Sequence, residues 1–423
     1  MNKFNPHNVT LTSFFDSIID SYDQDLLREM INLDTADSVL RKFLSIDEMR
    51  QFGSFFTGQR LTGLAIDGFR HPITLGSVVL DPTCGTGNLL IGCSRKLPVC
   101  HFLSDTLVSW GKVLRGFDIH SAFVEATKLR LILEAVNRGV VKDCSLDQAL
   151  LCFSGIKVAD ALSVEDEELS DVTHLLMNPP FSNWDSPASE YWKAGKVNAA
   201  GVIFDHYIRR LPSGCLISAI LPDVLRAGSR YEGWRRFVSE KISGDIQIAG
   251  RFNEKTDVDV FLVAGVLKEA TSEAIVWYDY AESALYVADL FDVCIGPLVA
   301  YRDPQEGTLS PYIHAKNTPV WGTIREFDEF RRFKGRLIKP PFVVIRRTSS
   351  PTDKNRASGA IVLGDTPVAV ENHLIVLKPK NSKVSHCKKL INTLKDSKTN
   401  AFINGRIRCR HLTVGVVREI PIW

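Results

Sequence analysis

Two short strings, each closing a β-like run, constrain this chain more than any other feature. Asp81-Pro82-Thr83-Cys84-Gly85-Thr86-Gly87 follows the apolar run Val78–Leu80, and Asn178-Pro179-Pro180-Phe181 follows Leu175-Leu176-Met177, 97 residues further on. A Gly-x-Gly turn leaving a strand lets the backbone approach a ligand with no Cβ in the way. A helix begun at Asn88 would then aim free N–H groups at a carboxylate or phosphate. The Asp-Pro opening departs from both phosphate-binding glycine patterns, since it has no Gly-Lys-Ser/Thr and no third glycine at dinucleotide spacing.

Short β-branched runs alternate with helical stretches from about residue 54 to 270. The expected strands are Val78–Leu80, Leu114–Phe117, His174–Met177, Leu216–Leu221 and Phe261–Leu267. Such alternation predicts a doubly wound α/β sheet, with both strings at carboxyl ends of strands, where open α/β sheets bind ligands. Residues 12–52 read as helical, with Ile18, Ile19, Leu26, Leu27 and Met30 at helical spacing and a Ser45-x-x-Glu48 capping box. Residues 271–340 are broken by Gly296-Pro297, Asp303-Pro304 and Lys339-Pro340-Pro341 and read as an irregular linker. Phe342–Arg346, Ala360–Leu363 and His373–Leu377 predict strands of a smaller β-rich module, with a helix around 384–396. The expected parts are therefore an N-terminal helical segment (1–52), an α/β domain (53–270), the linker (271–340) and a basic module (341–423).

At 423 residues, 45% hydrophobic and 24% charged, the chain is long enough for two or three globular cores. No apolar run approaches the roughly 20 residues of a membrane-spanning helix, and the polar N-terminus lacks a secretory pattern. Nine scattered cysteines without a Cys-x-x-Cys pair argue against a disulfide framework or a zinc site and predict a reducing cytoplasm and no metal. The net charge of +2 hides a division. Residues 1–300 hold 28 Lys/Arg against 39 Asp/Glu, whereas residues 301–423 hold 23 against 10. A basic segment on an acidic body is the footprint of contact with a polyanion.

Asp118 ends the next expected strand, where an acid accepts both hydroxyls of a ribose. It lies 31 residues beyond Gly87, more than the ~20 of a dinucleotide fingerprint, and residues 98–112 read as an insertion. In the second string the Asn178 side-chain oxygen and the Pro179 carbonyl are two acceptors for the N–H bonds of a planar amine. Accepting both draws the nitrogen towards tetrahedral geometry and frees its lone pair. Pro179 and Pro180 stiffen the corner and remove two backbone donors. An amine inside a duplex is reached only by flipping its base out, at a few kcal/mol. Stacking on an aromatic ring offsets about 1–3 kcal/mol of that. Phe181 is one candidate face and Phe252 the other, with Phe261 expected in the core and Trp184 on a loop able to meet DNA.

On these motifs the chain resembles the amino-directed DNA methyltransferases of adenine N(6), in the gamma-type order that places cofactor motifs first, the catalytic motif next and target recognition last. The resemblance implies a Rossmann-like S-adenosylmethionine-dependent methyltransferase core with N-terminal helices and a C-terminal β-rich target-recognition module. It implies that Asp81 and Gly85 cradle the methionine part of S-adenosyl-L-methionine, that Asp118 holds the ribose and that Asp160 holds the cofactor's adenine amine. Thr83, Cys84, Gly87, Ile119 and Ala161 complete the expected cofactor set. Phe55-Phe56-Thr57-Gly58 resembles the family's Tyr/Phe-Thr-Pro segment, with Gly58 in the place of proline; Thr57 would touch the cofactor carboxylate and Phe56 pack nearby.

The resemblance also implies double-stranded DNA as substrate, in a restriction-modification or phage-defence setting, with a cognate restriction endonuclease or specificity subunit as partner. Arg346, Arg347, Arg356, Arg406, Arg408 and Arg410 are the expected DNA contacts, the last three on one face of an extended segment. Arg410-His411-Leu412-Thr413 matches a family stretch that either docks the end of the chain or meets DNA. Methylation of RNA adenine or of protein glutamine, and a non-catalytic DNA-binding subunit, stay open. Cytosine-N(4) transfer fits less well, because that branch usually carries Ser where this chain has Asn178.

Overall fold

The computed structural model describes residues 4–19, 22–43, 49, 56–253, 256–268, 275–278 and 282–423. The chain forms two compact units, Met1–Arg226 with Arg230–Trp277, and Ala227–Ser229 with Tyr278–Trp423.

The first unit is built on a seven-stranded sheet. Its strands are β1 (Val79–Asp81), β2 (Leu114–Asp118), β3 (Ile156–Val158), β4 (His174–Met177), β5 (Leu216–Pro222), β6 (Ile242–Asn253) and β7 (Thr256–Leu267), in the order β3-β2-β1-β4-β5-β7-β6. The first five run parallel, and β7 enters antiparallel beside β5 in a hairpin with β6. This is the doubly wound α/β sheet the alternation predicts and the Rossmann-like core the resemblance implies. Strands β4 and β5 are buried along their whole length, as strands covered on both faces must be. The strand order reverses between β1 and β4, which creates the crevice in which such sheets hold ligands. Val79 sits opposite both Leu114 and His174, so Asp81 and Asn178 leave neighbouring strands at the same edge.

The 30 residues between Gly87 and Asp118 contain a second helix, Leu103–Val113, after the expected Asn88–Ser94. Trp110 is its fully buried anchor, with Nε1 donating to Pro98 O at 2.9 Å. The helix Ser121–Asn137 is buried on nearly every face, because the N-terminal helices Asn5–Ser17 and Gln24–Ile31 pack across it. The helical reading of residues 12–52 needs one correction. The first helix ends at Ser17, and Ile18 is already extended, with φ −71° and ψ 108°. Ile19 and Leu26, expected on an apolar face, are 82% and 41% exposed. Asp23 then caps the next helix by accepting from Asp25 N and Leu26 N. The Ser45–Glu48 capping box lies outside the described residues.

The second unit holds a five-stranded sheet in the order Phe291–Ile295, Leu374–Pro379, Phe342–Arg346, Gly359–Val362, Thr323–Ile324. Alternate residues face opposite ways. Val343, Ile345, Ile375 and Leu377 pack with Leu390, Ile391 and Leu394 of the helix Val384–Lys395. Phe342, Val344, Leu374 and Val376 pack with Ile313, Val368 and Val370. Residues 271–340, expected as an irregular linker, supply four strands, and this unit begins near Tyr278 rather than at 341. Those strands are two to six residues long between Gly and Pro breaks, too short to show a period.

Candidate functional site

The turn after β1 folds as its glycines demand. Gly85 has φ +55° and Gly87 φ +80°, and a Cβ on them would stand 2.8 Å from Phe56 Cε1 and 2.6 Å from Thr127 Cγ2. The turn is tied down by Cys84 N donating to Phe117 O at 2.8 Å and by Thr127 Oγ1 donating to Gly85 O at 2.9 Å. Beneath it lies Arg130, fully buried. Nη1 donates to Thr86 O at 2.7 Å and to Asn88 Oδ1 at 2.6 Å, Nη2 to Asn32 O at 3.0 Å, and Nε to Met30 O at 3.3 Å. Burial, with Arg95 nearby, lowers the Arg130 pKa to about 9, so the guanidinium stays charged at neutral pH. Asn88 completes the clasp: its Nδ2 donates to Leu33 O at 2.6 Å and to Thr57 O at 2.7 Å.

Above the turn lies a cavity of about 380 Å³, within the size range of small-molecule sites. It is bounded by residues that follow four successive strand ends: Thr83 and Gly85 after β1, Asp118, Ile119 and Phe123 after β2, Asp160–Leu162 after β3, and Asn178, Pro180 and Trp184 after β4. Asp118 Oδ2 accepts from Gly85 N at 3.2 Å and Oδ1 from His120 N at 2.8 Å. Burial nevertheless outweighs those two bonds and raises its pKa to about 6. Asp81, fully buried below the turn, is pushed by desolvation to about 8, although Thr83 N donates to its Oδ1 at 3.1 Å. Asp160 Oδ1 accepts from Leu162 N at 2.9 Å.

Of the expected cofactor residues, Thr83, Gly85, Asp118, Ile119, Asp160 and Ala161 line this cavity. Phe56, Thr57, Asp81, Cys84 and Gly87 stand behind the lining. Phe56 packs edge-on against Phe123 at 5.3 Å. Thr57 Oγ1 accepts from Asn178 Nδ2 at 2.9 Å. Cys84 is buried, and burial pushes its thiol well above the ordinary range, so it stays neutral.

The second string forms the other wall. Asn178 Oδ1 and Thr83 Oγ1 are both buried and have no hydrogen-bond partner, and both residues line the cavity. The corner is held by Asn198, whose Nδ2 donates to Phe181 O at 2.9 Å while its Oδ1 accepts from Ala200 N. Phe181 and Phe252 meet, but edge to face, with centroids 5.6 Å apart and planes at 82°. A base stacked between two rings needs them parallel and roughly 7 Å apart, so the expected pair packs together instead of flanking a slot. Phe252 is only 5% exposed, and Phe261 is a core residue, as its place inside β7 predicts.

In the second unit the expected row of three arginines on an extended segment is not what forms. Arg406 is the last residue of the helix Ser397–Arg406, buried, ion-paired with Glu419 and stacked 3.3 Å over the Tyr278 ring. Arg356 is also buried and donates to Ile407 O and to Cys409 O at 2.6 Å. These two hold the chain end together, because a buried guanidinium must satisfy its donors. Arg408 is half-buried and Arg410 exposed. Arg346 Nη2 donates to Thr318 O at 3.3 Å, and Arg347 is half-buried with its Nε unpartnered. Arg410-His411-Leu412-Thr413 docks: Ser349 N donates to Arg410 O, Leu412 is fully buried, and Thr413 caps the helix Val414–Arg418.

Sequence reasoning missed Arg130, Asn198, Phe123 and Leu162. A signal existed for Arg130, a lone cation inside the apolar run Leu129–Leu133. Among the described residues there is no cluster able to hold a metal and no helix long and apolar enough to cross a membrane.

No family model matches the sequence, and no curated protein matches it. Solved structures do. The Type IIL restriction-modification enzyme MmeI, determined in complex with DNA, superposes with a TM-score of 0.59 at 12% identity, over 92% of this chain and 70% of that one. The type IIG restriction endonuclease BpuSI gives 0.42 at 12%, over 92% of this chain and 61% of that one. The type I restriction enzyme EcoKI M protein gives 0.37 at 13%, over 64% and 62%. At these identities the first likeness establishes the fold.

Proposed function

We propose that the chain is an S-adenosylmethionine-dependent DNA methyltransferase that modifies the N(6) amine of adenine, as the modification activity of a restriction-modification or phage-defence system. The observation that carries this reading is Asn178 on the wall of the cavity, with its side-chain Oδ1 buried and unpartnered. An orphaned buried acceptor costs about 1–3 kcal/mol, and a ligand that donates an N–H there removes that cost.

The cavity residues fit the cofactor. Asp118 offers a carboxylate for ribose hydroxyls, and Asp160 offers an acceptor for an exocyclic amine. Thr83 offers an unpartnered hydroxyl, while Ile119, Phe123, Ala161 and Leu162 form apolar walls for a planar base. When bound, S-adenosylmethionine supplies an electrophilic methyl carbon on a sulfonium. Everything else falls to the protein. Asn178 Oδ1 and the Pro179 carbonyl accept the two N–H bonds of the target amine and raise its nucleophilicity. Thr57 and Asn198 hold the corner rigid. Alignment of the reacting atoms at about 3 Å then provides most of the acceleration.

The second unit supports a nucleic-acid substrate, since the excess of 23 Lys/Arg over 10 Asp/Glu falls in residues 301–423. The structurally similar MmeI was solved in complex with DNA, which favours duplex DNA over RNA or protein glutamine. A restriction endonuclease or specificity subunit is the proposed partner.

The test is transfer of label from S-adenosylmethionine to duplex DNA, RNA and protein by the purified chain, followed by mapping of methyladenine. Asn178→Ala is expected to abolish transfer while cofactor affinity stays within about tenfold, because the amide adds roughly one hydrogen bond to the cofactor pocket at most. Retention of more than about a tenth of the rate would refute the role of Asn178.

A further inference from the structure

We infer that Tyr207 is a positioning residue for the cofactor's adenine subsite: its hydroxyl hangs the Asp160–Leu162 turn from the same helix that carries the Asn178 corner. This deepens the proposed reading, in which Asp160 accepts the exocyclic amine of the cofactor's adenine, and rests on it.

The turn is bonded to itself. Asp160 Oδ1 accepts from Leu162 N at 2.9 Å and Asp160 O from Ser163 N at 2.9 Å, so the carboxylate is fixed relative to the turn. The turn is fixed to the sheet by Ala159 N, which donates to Asp118 O at 3.1 Å, and to the helix Ala199–Arg210 by two side chains. Tyr207 is fully buried, and its hydroxyl donates to Ala161 O at 2.8 Å. The direction of that bond is unambiguous, because a carbonyl oxygen only accepts. Burial also pushes the phenol well above its ordinary pKa, so the proton stays. Three residues on, Arg210 Nη2 donates to Val164 O, and Nε to Asp166 Oδ1 at 2.5 Å.

Tyr207 lies behind the cavity wall, which Asp160, Ala161 and Leu162 line. One turn earlier on the same face of the helix, Ile203 lines it too. The helix is capped by Asn198, whose Nδ2 holds Phe181 O at 2.9 Å, and Ala199 N donates to Ser182 O at 2.8 Å. One helix, about 14 Å long from Asn198 to Tyr207, is therefore bonded to the Asn178 corner at its first turn and to the Asp160 turn at its last. Without the Tyr207 hydroxyl, the carbonyl of buried Ala161 loses its donor and the Asp160 carboxylate is free to shift against a bound base. The loss then falls on recognition of the base's amine and spares the methionine end of the cofactor.

The experiment is calorimetry with S-adenosylhomocysteine, the demethylated cofactor, and its S-inosyl counterpart, in which an oxo group replaces the 6-amine. It compares wild type, Tyr207→Phe, Arg210→Met and Asp160→Ala, each checked for a cooperative melt. Phenylalanine keeps the ring and removes only the hydroxyl. Wild type is expected to prefer the adenosyl ligand roughly 10- to 100-fold, the worth of a hydrogen bond to a charged group, and Asp160→Ala to lose most of that preference. Tyr207→Phe is expected to weaken the adenosyl ligand about 5- to 10-fold and the inosyl ligand by about twofold at most, so the preference narrows. Arg210→Met, at a half-buried position, should narrow it in the same direction by less. In the double variant of Tyr207→Phe with Asp160→Ala, the Tyr207 effect should largely vanish, because groups acting through one contact are not additive. If both ligands weaken alike in Tyr207→Phe, or neither does, the inference is overturned; an additive double variant overturns it too. Should Tyr207→Phe not fold, Arg210→Met decides by the same outcomes. A wild type that binds the adenosyl ligand without preferring it overturns the inference and leaves methyl transfer standing. A wild type that binds neither ligand overturns the proposed function as well.

Discussion

The carboxylate of Asp118 offers the sharpest quantitative test, because its expected role requires charge and its surroundings oppose it. Burial raises its pKa from 3.8 to about 6, against the bonds it accepts from His120 N and Gly85 N. A ribose diol binds the charged form, which accepts two hydrogen bonds, so cofactor affinity should follow the fraction ionised. At pH 7 about nine-tenths of Asp118 carries charge; at pH 5 about one-tenth does. The expected loss between those values is therefore on the order of tenfold in Kd, or about 1.4 kcal/mol. Asp81, raised to about 8, stays protonated across that window and adds no slope. Calorimetric titration of wild type and Asp118→Ala with S-adenosylmethionine at pH 7, 6 and 5 reads this directly. The variant should bind more weakly at pH 7 and show no slope. A linked stability effect runs in a defined direction. Because folding raises this pKa, the folded protein holds the extra proton between pH 4 and 6. Stability without cofactor is then lost as pH rises through that window, by up to roughly 3 kcal/mol, and Asp118→Ala removes that component. A wild-type Kd that is flat from pH 7 to 5, or a slope that survives in Asp118→Ala, would show the reasoning to be wrong.

Two further outcomes concern residues whose roles emerged from the structure. Arg130→Met leaves the carbonyls of Met30, Asn32 and Thr86 and the Asn88 amide oxygen without their donor. At about 1–3 kcal/mol for each buried orphan, reduced by relief of a buried charge, the loss should be roughly 3–5 kcal/mol, read as a thermal midpoint about 10 °C lower; a shift under about 2 °C would contradict the clasp. Arg410→Ala should reduce the salt dependence of DNA binding by about one unit of slope, whereas Arg406→Ala should lower stability and leave that slope alone, since its charge is already paired with Glu419. Equal slopes for wild type and Arg410→Ala would move the contact elsewhere.

Much of the fold was legible because parallel strands buried on both faces must be apolar throughout. Runs such as His174–Met177 and Leu216–Pro222 announce themselves in one dimension. The short strands of residues 291–333 escaped for the opposite reason: two to six residues bounded by breakers carry no measurable period. The arginine row failed similarly. Alternation at 406, 408 and 410 implies one face only if the segment is extended, and the helix Ser397–Arg406 ends inside it.

By itself, the order of residues determined the architecture, the two motif-bearing turns and the chemical character of the groups they carry. Each follows from local rules: burial period, the positive φ open to glycine, the donors and acceptors of a side chain. What only tertiary structure decided is direction and pairing. Whether Thr57 faces a ligand or the amide of Asn178, whether Phe252 flanks a slot or fills it, and whether Arg406 meets solvent or Glu419 all depend on contacts between segments distant in sequence. The free energy of a polar group is set by the partner it finds on burial, and that partner is chosen by packing.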